Sequence, residues 1–348
     1  AQKTCLWFHF ETQPLPSPLS FYFHFLPKFV LSRAVDLDLW VQAYTSWFVL
    51  LMPITVMPQI FNRTALLLLR IGGFVQTSFM MNIILSGNFS FLNHLTIVPA
   101  LACLDDACWP RLLQRLSTIT TRQHPHQQRF RVIPLLLACL IGYLSLPVVS
   151  NLLGRSGRQV MNASFDKFRL VNTYGAFGSV GEARYEPVVS ISSNGVDDWT
   201  ELELPCKPGK LTRRPCFCAP YHYRLDWNIW FLGFKPHQAY LQRREQWLYH
   251  LLYKILAQNE HRRPWLDLLD TPSARYLENM YETNKGPKFA RVDMYHYQMA
   301  APLWKLLPQW IFAKQHEEVI WWKRTYEESL VPVIRLDPDT DKLTVVQG

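Results

Sequence analysis

The chain has 348 residues, 49% of them hydrophobic, and a formal net charge of +9, which together predict two domains rather than one. The positive charge does not indicate a nucleic-acid partner, because no basic stripe with interleaved aromatic residues occurs. Most long apolar runs lie before residue 154, so we predict a membrane region at 1–154 and a soluble domain at 155–348. The chain begins with Ala1 and has no signal-peptide pattern, so we expect its natural start to lie upstream.

The membrane region begins with two short features. Residues 11–19, "ETQPLPSPL", predict an irregular loop, because proline is excluded from a helix interior. Residues 21–31 are rich in aromatic side chains but too short to cross a bilayer, which favours an interfacial position. We expect about three to four transmembrane or re-entrant segments, and the candidates are residues 40–60, 65–86, 91–104 and 132–153.

The charged loops and sequons predict which side of the membrane each part occupies. Residues 111–131 are the densest basic stretch and fit a cytosolic loop under the positive-inside rule, which makes the C-terminal domain luminal or extracellular. Three N-x-S/T sequons begin at Asn62, Asn88 and Asn162. Asn62 and Asn88 flank one predicted span and cannot share a side. Asn162 lies on the side of the C-terminal domain, and Asn88 shares that side only if residues 91–104 cross the membrane. The candidate glycosylation sites are Asn88 and Asn162.

One arginine lies inside a predicted span. Arg70 is costly there unless it is paired, so it belongs either to an ion pair between helices or to a functional site. The functional interpretation is an intramembrane enzyme in which Arg70 gathers with His94, Glu11, Asp105 and Asp106. The structural interpretation needs only one acidic partner. The sequence leaves both open.

The soluble domain shows strand patterns followed by a helix pattern. Residues 165–172, 184–193 and 199–206 have strand-like content, and glycine-rich turns separate them. Residues 236–259 then predict an amphipathic helix. Its apolar face contains Leu241, Leu248, Leu251, Leu252, Ile255 and Leu256. A small β layer followed by helices is typical of an α+β fold.

The glycine-rich segment at the start of this domain has two interpretations. Gly175, Gly178 and Gly181 have the spacing of a dinucleotide-binding loop, but that loop must open a helix, and the residues that follow favour a strand. Glycines that permit the backbone of a hairpin are the better explanation. We therefore expect no nucleotide and no other cofactor.

Three cysteines cluster in the soluble domain. A disulfide between Cys206 and Cys216 would close a short loop and stabilise the fold by about 3 kcal/mol. Cys216 and Cys218 form a C-x-C pair, so a redox function is an alternative. A zinc site is not expected, because His222 is the nearest further ligand and four at suitable spacing are not found.

The segment 219–234, "APYHYRLDWNIWFLGF", follows the cysteines and is strongly aromatic. An active site that uses His222 with Asp226 is one interpretation. A hydrophobic core is the commoner use of such a run, since tyrosine and tryptophan bury large areas. In that case we expect Arg224 and Asp226 to form an ion pair.

Several long strings occur in the order found in one known family. They are "ETQPLPSP" (11–18), "SGNFSFLN" (86–93), "PALACLDDA" (99–107), "SGRQVMNASFD" (156–166), "LVNTYGAFGSV" (170–180) and "CKPG...RRPC...PYHYRLDW" (206–227). On these strings the sequence resembles the lipase maturation factor family. The strings cover most of residues 5–235, and the similarity is looser beyond about residue 260.

The resemblance implies a multi-pass membrane protein of the endoplasmic reticulum with a luminal C-terminal domain. Its implied work is the folding, dimer assembly and maturation of secreted homodimeric lipases, which would be its protein partners beside the lipid bilayer. The resemblance implies no catalytic residue, metal or cofactor, so we expect a chaperone-like factor and not an enzyme. The expected client contacts are Tyr174, Phe177, Tyr221, Tyr223 and Trp227.

Overall fold

The computed structural model of the chain contains two compact units. It describes residues 5–37, 40, 63–87, 91–101, 103–104, 108–109, 132–154, 160, 163–173, 181–219, 221–234, 246–257, 263–283, 285–300 and 319–346. The first unit, here the sheet unit, comprises Ala1–Ala43, Ser78–Leu95 and Val180–Gly348. The second, here the helical unit, comprises Tyr44–Thr77 and Thr96–Ser179.

Two short helices open the sheet unit, α1 (Cys5–Thr12) and α2 (Pro18–His24). The Ser17 side chain caps α2 by accepting a hydrogen bond from the Ser20 amide at 3.3 Å. Proline at the first position of α2 has no amide hydrogen to leave unsatisfied there. The proline-rich stretch between the helices is irregular at residues 13–17, a shorter loop than the predicted 11–19.

Three longer helices follow: α3 (Arg63–Ser86), α4 (Phe91–Leu101) and α5 (Val132–Leu152). They coincide with the segments predicted at 65–86, 91–104 and 132–153, whereas nearly all of the segment at 40–60 lies outside the described residues. Within the described part of the chain, no helix combines the length and apolar character that a bilayer crossing requires. The prediction of helices is therefore confirmed for these three segments, and their crossing of a membrane stays a proposal.

The first hairpin lies in the helical unit and corrects one strand prediction. Strands β1 (Ala163–Ser164) and β2 (Asn172–Thr173) pair antiparallel, and residues 165–171 are the turn between them. The strand predicted at 165–172 is thus wrong. The reason is the Asp166 carboxylate, which accepts hydrogen bonds from the amides of Leu170 and Val171 at 3.0 and 3.1 Å and so folds the segment back on itself.

A five-stranded antiparallel sheet forms the centre of the sheet unit. Its strands are β3 (Arg184–Ser192), β4 (Thr200–Leu202), β5 (Phe289–Met299), β6 (Trp322–Asp337) and β7 (Lys342–Val345), in the order β4-β3-β5-β6-β7. The predicted strand at 184–193 is confirmed, and that at 199–206 is confirmed for three residues. The predicted order, strands first and helices last, is wrong. Strand β3 pairs along its whole length with β5, which comes after the helices.

Three helices of the sheet unit follow β4: α6 (Arg224–Trp230), α7 (Gln246–Leu256) and α8 (Thr271–Glu282). The apolar face predicted for α7 is buried at Leu248, Leu251, Leu252, Ile255 and Leu256, whereas Leu241 lies outside the described residues. These side chains share one core with Ile191 of β3, Val292 of β5 and Val331 of β6. Burying each such side chain contributes about 1.5–3 kcal/mol, so this face holds α7 against the sheet.

Candidate functional site

A cluster of three charged side chains is buried at the start of β3. The Arg184 guanidinium pairs with the Glu186 carboxylate, and the Lys207 ammonium lies 2.6 Å from the other oxygen of Glu186. Arg184 and Glu186 are two residues apart on one strand, so their side chains leave the same face of the sheet. All three are almost completely removed from solvent. Charges buried in this way destabilise a protein unless each is paired and hydrogen-bonded.

The same arginine binds the backbone of the N-terminal segment. Its Nη1 donates hydrogen bonds to the carbonyl oxygens of Glu11, at 2.8 Å, and of Gln13. Its Nη2 donates to the carbonyl of Pro14 at 3.0 Å. Glu11 lies in the last turn of α1, where carbonyls have no partner within the helix, and Gln13 and Pro14 lie in the irregular chain that follows. The guanidinium satisfies these carbonyls instead. We call Arg184, Glu186, Lys207 and the carbonyls of residues 11–14 the anchor site.

Two further contacts hold the N-terminal segment against the sheet unit. The indole Nε1 of Trp230, on α6, donates to the Thr12 carbonyl at 2.9 Å. The Glu11 carboxylate accepts a hydrogen bond from the amide of Met299, at the end of β5, at 2.8 Å. Both contacts join residues that are more than 200 positions apart in the sequence. The contact with Met299 occupies the Glu11 carboxylate, one of the groups considered above for an intramembrane active site.

The end of α3 also meets this segment. The Gln13 side-chain amide donates to the Ser86 carbonyl at 3.0 Å, and the Ser17 hydroxyl donates to the Leu85 carbonyl at 2.8 Å. Gly87 has no room for a side chain, because a Cβ atom would collide with the Gln13 amide. Segments quoted above from residues 11–18, 86–93 and 206–227 therefore converge in one place.

A buried carboxylate fixes the turn that carries Lys207. One oxygen of Asp226, on α6, accepts hydrogen bonds from the amides of Cys206 and Lys207, both at 2.7 Å. Burial raises the pKa of the Asp226 carboxyl above its ordinary value, although these two amides oppose the shift. The predicted pair of Asp226 with Arg224 is wrong. Residues two apart on a helix face nearly opposite directions, and Arg224 is exposed while Asp226 is buried.

A second ion pair closes the following loop. The Arg213 guanidinium donates to the Glu203 carboxylate at 3.0 Å, and the same carboxylate oxygen accepts from the Lys210 amide at 3.2 Å. The hydroxyl of Tyr297, on β5, donates to the carbonyl of Gly209 at 2.8 Å. Burial raises the pKa of Tyr297 above its usual range, so this hydroxyl stays a donor. The loop is thus held from both its ends and its middle.

The cysteines lie on this loop. The structure joins Cys206 to Cys216 in a disulfide with a Cα–Cα distance of 5.4 Å. Cys218 carries a thiol, and the sulfur atoms of all three cysteines lie within 4.8 Å of one another. The disulfide engages two of the three sulfurs. The arrangement is therefore a disulfide with a third sulfur beside it.

The aromatic residues of α6 and its flanks divide between the core and the surface. Trp230 is buried, whereas Tyr221 is 63% exposed. The rings of Tyr221 and Tyr223 meet edge to face, with their centroids 5.2 Å apart. The centroids of the Trp227 and Phe231 rings are 6.0 Å apart. The exposed or half-exposed rings are those of Phe217, Tyr221, Tyr223, Trp227, Phe231 and Phe234, which we call the aromatic face.

The aromatic face contains three residues that the sequence analysis missed. Phe217, Phe231 and Phe234 are all exposed, and they were absent from the predicted contact set. A helical spacing of four residues relates Trp227 to Phe231, and that signal was available in the sequence. Two residues of the predicted set, Tyr174 and Phe177, lie outside the described residues.

The structure describes only some of the remaining candidate residues. Arg70, on α3, is half-buried and belongs to the helical unit. His94, on α4, is exposed. Asp105, Asp106 and the sequon residues Asn88 and Asn162 lie outside the described residues. No observation among the described residues favours an intramembrane active site over a structural use of Arg70.

Two family models match the chain. Residues 2–111 match the lipase maturation factor transmembrane domain, and residues 170–332 match the lipase maturation factor C-terminal domain. The first match contains α1 to α4 with the N-terminal half of the anchor site. The second contains β3 to β5, most of β6, the disulfide loop and the aromatic face.

Curated relatives extend this similarity along the chain. Lipase maturation factor 1 of Mus musculus is 34% identical over 357 residues, covering 96% of this chain and 55% of the relative. The Homo sapiens protein of the same name is 34% identical, with 96% of this chain and 56% of the relative covered. Lipase maturation factor 2 of Rattus norvegicus is 24% identical, covering 98% of this chain and 57% of the relative.

The chain spans about half the length of the curated relatives it matches. No solved structure matches it. The two domain matches occur in order along the chain, and they contain the residues that build the anchor site and the aromatic face. The chain belongs to the lipase maturation factor family.

Proposed function

We propose that the chain is a membrane factor of the endoplasmic reticulum that assists the folding, dimer assembly and maturation of secreted lipases. The observation that carries this proposal is the ordered match of both family domains, together with relatives named lipase maturation factor 1 at 34% identity. The work is binding rather than catalysis: the factor shields apolar surface of a client lipase until its subunits associate. Homodimeric lipases are the partners that we propose.

The sheet unit is the luminal part in this proposal. One compact unit joins residues 5–24, the end of α3 at Leu85–Gly87 and the strands after residue 184. A folded body with a continuous hydrogen-bond network cannot be divided by a bilayer, because hydrocarbon leaves backbone groups unsatisfied. We therefore propose that all three parts lie on one side of the membrane. The proposal extends to Asn88, the next residue in the sequence, on the same side and to Asn62 on the other.

Lipid is the other proposed partner, and α5 supplies the observation in favour of it. Large apolar side chains are exposed along the whole helix, including Leu135, Leu136, Leu140, Ile141, Leu146 and Val149. A helix that is apolar all round is typical of a buried or lipid-covered position. We propose that lipid covers these side chains and that Asn162, ten residues after the helix, is luminal.

The aromatic face is the proposed contact for the client. Five rings of the aromatic face form a series of contacts that passes through His222, and the exposed Phe217 precedes them in the chain. The inner side of α6 packs in the core through Leu225 and Ile229. Large exposed apolar patches mark interaction sites, and tyrosine and tryptophan are enriched in them. We include Tyr174 and Phe177 of the preceding segment in this proposal.

A chimera tests the function. The full chain replaces the matching part of mouse lipase maturation factor 1, so that β6 and β7 stay intact, and the chimera is expressed in cells that lack the native factor. We expect secreted lipase protein of normal specific activity, comparable with that given by the intact mouse protein. A chimera that reaches the endoplasmic reticulum in normal amount but leaves secreted lipase inactive would contradict the proposal.

A further inference from the structure

The cysteine cluster has an asymmetry that a purely structural disulfide does not need. Cys206 is 3% exposed, and its amide is held by the buried Asp226 carboxylate. Cys216 and Cys218 are both half-buried and lie on residues 213–218, which form neither helix nor strand. One sulfur is thus fixed in the interior, and two others lie beside it on one irregular segment.

Cys216 and Cys218 both lie close enough to Cys206 to form a disulfide with it. All three sulfurs lie within 4.8 Å of one another, so replacing one partner of Cys206 by the other needs only a local shift of residues 214–218, while Arg213 stays bound to Glu203. Disulfides exchange when a thiolate attacks one sulfur of the bond, and access of the attacking thiolate limits the rate. A third sulfur at this distance meets the requirement for access.

We propose that Cys206, Cys216 and Cys218 form a thiol–disulfide exchange site with two interchangeable disulfides, Cys206–Cys216 and Cys206–Cys218. The Cys218 thiolate attacks the Cys206 sulfur, the new S–S bond forms, and the bond to Cys216 breaks. Cys216 leaves as a thiolate and takes up the proton that Cys218 lost. The step has no net oxidation or reduction, and it leaves one half-buried thiol that can react with the disulfide of a protein or a small molecule.

This activity goes beyond lipase maturation and does not depend on it. A metal site would require all three sulfurs as thiolates, and the disulfide engages two of them. A purely structural disulfide predicts one pairing only. The number of pairings that the protein adopts therefore decides the question.

The first test removes Cys216, the residue that the structure joins to Cys206. The full chain is expressed in microsomes as Cys216→Ser and, as the matched control, Cys218→Ser. Non-reducing peptide mapping after rapid alkylation then identifies the pairs. We expect a Cys206–Cys218 disulfide in at least half of the Cys216→Ser molecules and a Cys206–Cys216 disulfide in the control. If Cys206 and Cys218 both carry the alkyl label in buffer that oxidises the control, the exchange site is refuted.

The second test needs no substitution and is independent of folding defects. Native microsomes are treated slowly with iodoacetamide at pH 8, and the labelled cysteines are mapped over time. Exchange predicts two products, one labelled at Cys218 and one labelled at Cys216 with Cys206 joined to Cys218. Label at Cys218 alone at every time point would overturn the proposal, whatever the result with lipases.

Discussion

The anchor site and the aromatic face both lie on the sheet unit, but they differ in which kind of side chain is exposed to water. At the anchor site, charged and polar groups are buried: Arg184 and Glu186 have no exposed side-chain surface. At the aromatic face, large apolar rings are exposed, and Phe217 is 57% exposed. Both run against the usual distribution of residues between core and surface. The first arrangement joins distant parts of the chain, and the second is available to a partner.

The difference predicts how substitutions act. Removing a partner from the anchor site leaves a buried charge uncompensated, so the free energy of unfolding should decrease. Removing a ring from the aromatic face leaves the core intact, so its cost falls on client binding.

The largest effect is expected for Glu186→Gln. The substitution leaves Arg184 and Lys207 buried without their counter-charge, and breaking a buried pair costs about 3–5 kcal/mol. The midpoint of urea unfolding, followed by tryptophan fluorescence of the detergent-solubilised chain, measures it. The control is Glu327→Gln on β6, where the glutamate is exposed and the expected change is within about 0.5 kcal/mol. Equal midpoints for the two variants would show that the anchor site is not a stability element.

A smaller effect is expected when one tryptophan loses its hydrogen bond. Trp230→Phe removes the indole donor to the Thr12 carbonyl, which should cost about 1–3 kcal/mol because that carbonyl stays buried. The same substitution at Trp227, three residues earlier on the aromatic face, is the matched control and should cost less. Thermal unfolding of the two variants measures the difference. A larger loss for Trp227→Phe would reverse the assignment of the inner and outer sides of α6.

The sequence predicted the elements of the sheet unit better than their assembly. The strand-like content of residues 184–193 and the helical face of residues 248–256 are local patterns, and both correspond to observed elements. One of the two partners of β3 is β5, about 100 residues later, and no local pattern indicates that these two strands pair. The turn at Asp166 was missed because a side-chain hydrogen bond overrides the strand content of its neighbours.

The anchor site was beyond sequence reasoning for a similar reason. Arg184 acts by binding the backbone carbonyls of Glu11, Gln13 and Pro14, and backbone acceptors have no sequence signature. The aromatic run at 219–234 was visible, but its division between core and surface depends on which side of α6 faces the sheet. Two predicted client contacts, Tyr221 and Tyr223, are exposed, and the contact itself stays a proposal.

The pH dependence of stability should differ in sign between a buried and an exposed aspartate. Burial raises the pKa of Asp226 above its ordinary value of 3.8, so its contribution is present below that pH and is lost as the pH rises through the folded-state pKa. Hydrogen bonds, first that from Ser192, lower the pKa of Asp198, so its contribution is present above 3.8 and is lost as the pH falls through its folded-state pKa.

The contribution of each aspartate to stability is the difference between the native chain and the variant that lacks that carboxylate. The stability of the native chain minus that of Asp226→Asn should fall as the pH rises from about 4, because the folded state releases a proton that the unfolded chain has already lost. The same difference for Asp198→Asn should rise with pH below about 4. Urea midpoints at pH 3 to 7 measure both. Two differences of the same sign would contradict the burial of Asp226.

The smallest effect on stability is expected at the aromatic face, where the effect on function should be large. Phe217→Ser, Tyr221→Ser and Phe231→Ser combined remove three exposed rings while the core residues of α6 remain. We expect the free energy of unfolding to change by about 1.5 kcal/mol or less, because each of the three substitutions at exposed positions should change it by about 0.5 kcal/mol or less. The specific activity of secreted lipase should fall at least fivefold in cells that depend on this factor.

A matched control separates client binding from a general loss of exposed apolar surface. Tyr326→Ser removes a ring that is 58% exposed on β6, away from α6 in the sequence, and should leave lipase activity unchanged. Because hot spots concentrate binding energy in a few clustered aromatic residues, a real docking surface should respond to the triple variant and not to the control. If the triple variant folds and supports full lipase activity, the client binds elsewhere on the sheet unit, and the exposed rings of α6 need another explanation.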